Sequence, residues 1–118
     1  MASGANVALT STGDSTLGQV TSAQATTAQA GGNLDVTGSL QSGGNATLTA
    51  GQDSTLANLA AGGALNRQVG GDAELVQGTV GGTTTIATGG NLALDALQAT
   101  GNVGTQSGAD TTIAQLVV

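Results

Sequence analysis

Seven acidic side chains are the residues of this chain best suited to chemistry: Asp14, Asp35, Asp53, Asp72, Glu74, Asp95 and Asp110. Paired carboxylates can act as acid and base in glycosidic cleavage when held at set separations. Their oxygens are also the natural ligands of calcium. Asp72 and Glu74 stand two apart, which puts both on one face of an extended strand, and Asp53 lies nineteen positions before Asp72. These three are the nearest thing to a cluster. The helpers of such chemistry are missing: there is no His, Lys, Tyr or Cys, and the one basic residue is Arg67. Four of the acids also belong to a regular spacing that explains them without catalysis. The residues therefore predict no catalytic residue, no metal site and no cofactor.

The elements that would position these acids follow from that spacing. Asp14, Asn33, Asp53, Asp72, Asn91 and Asp110 recur at a nineteen-position interval, stretched by one between Asn33 and Asp53. Three positions after each comes an aliphatic residue: Leu17, Val36, Leu56, Leu75, Leu94 and Ile113. Six units in register in 118 residues describe an array of stacked repeats, not a globule with a single wide core. Between the markers, aliphatic residues alternate with Thr, Asn and Gln, the period of a strand. Glycine pairs such as Gly43-Gly44, Gly62-Gly63, Gly81-Gly82 and Gly89-Gly90 punctuate the chain, as expected of tight turns with positive φ. The reading is all-β, with three short strands per nineteen-position coil and about six coils. Parallel crossovers favour a right-handed path, so the fold class is a right-handed parallel β-helix.

Two irregularities test the register. Where the interval stretches, between Asn33 and Asp53, Leu40 also follows its marker by seven positions instead of six. One inserted residue near Gly38 accounts for both. In the fourth repeat Gly78 takes an aliphatic position while Val80 takes a small one, an exchange on one strand face that conserves core volume. Arg67 resists the pattern, because it falls in the inward column of Leu9, Leu48 and Ile86. An unpaired buried guanidinium is very costly, so the sequence predicts a local bulge turning Arg67 outward. The marker Asp and Asn side chains are expected at turns, tolerating left-handed backbone and bonding neighbouring amides.

Composition excludes whole classes of function. Leu, Val and Ile together supply only a fifth of the chain and there is no aromatic residue, so any core is thin. Only 7% of residues are charged, which lacks the signature of disorder. A net charge of −6 with one Arg argues against nucleic acid, whose phosphates need several cations. No apolar run approaches the roughly 18 residues of a membrane-spanning helix, so no membrane insertion is expected. Met1-Ala2-Ser3 reads as an expression start, and 4–118 as one β-helix segment cut from a longer array. The end at Leu116-Val117-Val118 falls inside an aliphatic strand without a polar cap, which predicts head-to-tail self-association.

Three phrases carry a family resemblance: Gly-Gly-Asn-Leu-Asp-Val-Thr-Gly at 31–38, Gly-Gly-Asn-Ala-Thr-Leu-Thr-Ala-Gly at 43–51 and Gly-Gly-Asn-Leu-Ala-Leu-Asp-Ala at 89–96. Together with the period they resemble the haemagglutinin repeats of filamentous haemagglutinin, a family of very large adhesins and contact-dependent inhibition toxins exported by two-partner secretion in Gram-negative bacteria. The resemblance runs from Gly4 to Val118. It implies a β-helical shaft that projects a distal binding or toxin region from a secreted or cell-surface protein. Through the parent protein it implies an outer-membrane secretion partner and a host-cell or bacterial-cell surface as target. The secretion-signal motifs of the family and the Arg-Gly-Asp tripeptide are absent, and no residue inherits a family binding role.

Direct carbohydrate or calcium binding, or a polysaccharide-active enzyme fragment, is the alternative. Calcium-dependent nonapeptide repeats would give a period of eighteen, and their Gly-any-Asp triplet does not recur here at nine-residue intervals. Ice binding needs a Thr-any-Thr pair on every coil. The outward pairs are Ala8/Thr10, Thr27/Gln29, Thr47/Thr49, Asn66/Gln68, Thr85/Ala87 and Gly104/Gln106, of which Thr47/Thr49 alone qualifies.

Overall fold

The computed structural model describes residues 2–3 and 6–118, with side chains from residue 6 on. The expected expression start at Met1 and the repeat boundary at Gly4 lie outside the described residues. Residues 2–3 form a short strand, β1 (Ala2–Ser3).

Two kinds of strand alternate along the chain. Five-residue strands β2 (Val7–Ser11), β4 (Thr26–Ala30), β6 (Ala46–Ala50), β8 (Leu65–Val69), β10 (Thr84–Thr88) and β12 (Val103–Ser107) form one parallel sheet. Longer strands β3 (Ser15–Ser22), β5 (Leu34–Ser42), β7 (Ser54–Ala61), β9 (Ala73–Val80) and β11 (Leu92–Ala99) form the other. That second sheet is completed by β1, β13 (Thr111–Ile113) and β14 (Leu116–Val117). Every pairing is parallel and joins a strand to the equivalent one in the next coil, as in Leu65 with Thr84 and Thr84 with Val103. The chain is a β-solenoid whose coil repeats every nineteen positions.

The alternation of residue types sets what each strand buries. In β6 the side chains of Ala46, Leu48 and Ala50 are buried while Thr47 and Thr49 are half-exposed. The longer strands alternate likewise except at one point. In β7, Ser54, Leu56, Leu59 and Ala61 are buried, and the alternation breaks at Ala57-Asn58. Strand pairing skips Ala57 and resumes at Asn58 with Gln77, so the chain turns a corner there without leaving the sheet. Three flat stretches per coil were expected as separate strands. The second and third run on as one bent strand: the ladder skips one residue at the corner, Gly18 in β3 and Ala57 in β7, and resumes in the same sheet.

The inserted residue lies where the spacing placed it. Ser15 pairs with Leu34 at an offset of nineteen, but Gln19 pairs with Ser39 at an offset of twenty. The extra residue is therefore between Val36 and Ser39, in the nine-residue strand β5. It is accommodated by Gly38, where a Cβ would collide with the backbone carbonyl of Gly18.

Glycine has a different cause from the one expected. No described residue, glycine included, has positive φ. At most corner glycines the main chain of the coil beneath stands where a Cβ would, although Thr100 and Gln52 occupy equivalent ladder positions. A Cβ on Gly62 would sit 2.5 Å from the carbonyl oxygen of Gly43 in the coil beneath. The close approach lets the inter-coil ladder continue through the corners, as in Gly62 N–H to Ser42 O (2.8 Å) and Gly81 N–H to Ala61 O (2.8 Å).

Inside, aliphatic columns run through the coils. One holds Val36, Leu56, Leu75 and Leu94, another Val20, Leu40, Leu59 and Leu97, all buried. Each such side chain contributes about 1.5–3 kcal/mol on burial, and no coil has enough of them to stand alone. At Gly78 the second column is interrupted, and Leu75 and Leu97 close over the gap: a Cβ there would meet them at 2.8 and 3.1 Å. Val80 is buried two residues on, so the exchange within the fourth repeat does keep the core filled.

Arg67 overturns one expectation. Strand β8 is continuous, with Arg67 paired to Leu48 on one side and Ile86 on the other, and no bulge intervenes. Its side chain is fully buried. The room comes from the facing strands. Ser54 and Ala73 occupy the column position that holds Leu34 and Leu92 in the flanking coils.

Candidate functional site

The polar groups that the sequence singled out form two features, a surface ladder and one buried cation. The ladder uses the marker residues. Asp14 Oδ1 accepts the N–H of Asn33 (2.9 Å), and Asn33 Oδ1 accepts that of Asp53 (3.0 Å). Asp53 Oδ1 accepts from Asp72 (2.9 Å), Asp72 Oδ1 from Asn91 (2.8 Å) and Asn91 Oδ1 from Asp110 (3.1 Å). Each marker thus caps the backbone of the next coil at a corner where no strand bond is available. Asp and Asn share the position because both offer Oδ1 at the same reach. The expected bonding to neighbouring amides is present, without left-handed backbone.

A second ladder at the opposite corner was not read from the sequence. Asn6 Oδ1 accepts the Ala25 N–H (3.1 Å) and Asn45 Oδ1 accepts the Ala64 N–H (2.9 Å). The column of positions 6, 25, 45, 64, 83 and 102 holds Asn, Ala, Asn, Ala, Thr and Asn. Rungs are made by Asn6 and Asn45, while Ala25, Ala64 and Thr83 interrupt the column, so its signal is weaker than the marker's.

Three of the carboxylates, Asp14, Asp53 and Asp72, are ladder acceptors. Asp53, Asp72 and Glu74 do line one shallow surface depression with Ser54, Thr55, Ala73, Asn91 and Ala93. Two of the three are spent as ladder acceptors. Among the described residues no group of three or more His, Cys, Asp or Glu side chains is arranged to hold a metal ion. The outward pairs of the first sheet stand in register, with Thr47 next to Thr27 and Asn66, and Thr49 next to Gln29 and Gln68. A mixed row of Thr, Gln, Ala, Asn and Gly gives no repeated chemical motif along that face.

The buried cation is held by main chain. Arg67 Nη2 donates to Ser54 O (2.8 Å), Ser54 Oγ (2.9 Å) and Glu74 O (3.0 Å), so its two hydrogens are shared among three acceptors. Nε and Nη1 have no partner. Burial pulls the guanidinium down to about 10, against the opposing attraction of Glu74. Two neutral groups share its predicament: the buried hydroxyls of Thr26 and Thr84 lack partners.

No convergence of reactive groups marks an active centre among the described residues. No known protein family, no curated protein and no solved structure matches the chain.

Proposed function

We propose that this chain is a shaft segment of a large secreted or cell-surface adhesin of a Gram-negative bacterium, resembling the repeat regions of filamentous haemagglutinin. In this reading it holds a distal binding or toxin region away from the cell and performs no catalysis. Export through an outer-membrane partner and contact with a host or bacterial cell belong to the parent protein. One observation carries the reading: polar side chains with a regular task are spent on joining each coil to the next. The marker ladder links five successive coil junctions by bonds of 2.8–3.1 Å. A shaft needs that axial continuity, and it needs little else from its surface.

The alternative is direct binding of saccharides or calcium by the segment. Labelled segment applied to glycan arrays and to host and bacterial cells separates the two. A shaft gives no saturable binding, and its β-type circular dichroism is unchanged by a calcium chelator. Saturable, competable binding to one saccharide class would replace the shaft reading with a lectin-like one.

A further inference from the structure

The second ladder contains a group with no task in the fold. Asn45 is exposed, and its Oδ1 is committed to the Ala64 N–H at 2.9 Å. Among the described residues its Nδ2 has no hydrogen-bond partner. Two residues on, Thr47 lies on the outward face of β6 while Ala46 between them is wholly buried. Asn45 and Thr47 therefore present an amide and a hydroxyl on the same side of the chain. Asn-any-Ser/Thr without proline is the acceptor pattern for sugar attachment to asparagine, and Asn45-Ala46-Thr47 is its one occurrence in the sequence.

The other asparagines lack the hydroxyl. Asn6, Asn33, Asn91 and Asn102 are followed two residues later by Ala8, Asp35, Ala93 and Gly104, and Asn58 and Asn66 by Ala60 and Gln68. The surroundings also leave space. In the column of Asn45 the coil below carries Ala25 and the coil above carries Ala64, so no long side chain of that column overhangs the amide.

We infer that Asn45 is an N-glycosylation acceptor on the folded solenoid. The sugar arrives as a glycosyl diphosphate, either a sugar nucleotide or a lipid-pyrophosphate-linked saccharide. The Nδ2–C1 bond forms, the bond from C1 to the phosphate oxygen breaks, and the diphosphate leaves with the electron pair. One Nδ2 proton passes to the transferase's base. Oδ1 is untouched, so the rung to Ala64 survives the modification. The inference stands apart from the shaft reading, since it needs only exposure and the acceptor pair.

The test treats the folded chain in two arms. One supplies a nucleotide sugar with a soluble asparagine glycosyltransferase, the other a lipid-linked saccharide with a membrane oligosaccharyltransferase. A peptide of residues 43–51 and urea-unfolded chain run in parallel. The expected result is a single sugar on Asn45 of the folded chain in at least one arm, identified by intact mass and peptide mapping, with cooperative unfolding retained. Asn45→Asp keeps the Oδ1 rung and Thr47→Val keeps the strand. Both are expected to melt with the parent and to gain no sugar. Modification of the peptide or the unfolded chain but not of the folded one would overturn the inference, as would failure of all three. Sugar on another asparagine in Asn45→Asp would also overturn it.

Discussion

Arg67 is the residue at which pattern and physics conflict most sharply, and its energetics can be separated cleanly. A base whose proton is held less tightly in the folded state than in the unfolded one costs stability wherever both states are charged. Below about 10 the whole penalty applies. From about 10 up to the unfolded chain's own value the folded state loses its proton first and stability rises; beyond that the penalty is gone. That interval corresponds to about 3 kcal/mol at most. The chain has no Lys, Tyr or Cys, so only the α-amino group also titrates above neutrality. The urea midpoint is expected to climb through this window, and a midpoint that stays level or falls would contradict the assignment. Replacing a buried ionic group and its partner by apolar residues is often stabilising by about 1–4 kcal/mol. Arg67→Met with Ser54→Ala is therefore expected to unfold at higher urea and to lose the alkaline rise. Ser54→Ala alone removes an acceptor from a buried cation and is expected to cost about 1–3 kcal/mol. Thr84→Val removes an unpartnered buried hydroxyl at nearly constant shape. It is expected to gain about 1 kcal/mol, read from the same titration.

At the scale of elements, corners and ladders decide stability. Gly62→Ala would force a Cβ against the Gly43 carbonyl, which is main chain and cannot swing aside. A loss of about 1–3 kcal/mol is expected from such overpacking. Gly13→Ala is the control, since a Cβ there meets nothing within 4 Å. Equal effects at the two sites would show that flexibility, not inter-coil approach, governs the corners. The marker ladder makes a sharper comparison. Asp53→Ala leaves the Asp72 N–H without its cap and is expected to cost about 0.5–2 kcal/mol, by analogy with helix-capping losses. Asp53→Asn keeps Oδ1 in place and removes the one like-charge neighbour pair, Asp53 beside Asp72. It is expected to be neutral or slightly stabilising, and less so as salt screens the repulsion.

For the whole molecule, stability is a sum over coils and the interfaces between them. The described solenoid spans 36 × 32 × 18 Å, so six levels of strand make a block about as broad as it is tall. Each further coil lengthens it by about 4.8 Å. In the Arg67→Met chain, which no longer needs the space at Ala73 or the Glu74 carbonyl, deleting residues 73–91 removes one whole coil in register and brings Asn58 of one coil beside Ala96 of the next. The shortened chain is expected to keep a β-type spectrum and a single transition at lower temperature. Collapse into a coil spectrum would mean that the fourth coil is indispensable, against the additive picture.

The sequence by itself determined the coil, its length and its inward columns. A nineteen-position spacing can be satisfied by parallel stacking alone, and strand alternation leaves each side chain a single face. It located the inserted residue near Gly38 and the compensating pair Gly78 and Val80, because both disturb a count. It showed equally that His, Lys and Cys chemistry is absent. What it could not decide depended on distances between coils. The reason for the corner glycines is a carbonyl one coil away, not the local φ. The second asparagine ladder is interrupted by Ala25, Ala64 and Thr83 and has no strong period. Above all, the inward course of Arg67 required knowing that Ser54 and Ala73, on facing strands, leave space and carbonyl oxygens where neighbouring coils place leucine. Those relations exist only once the coils are stacked.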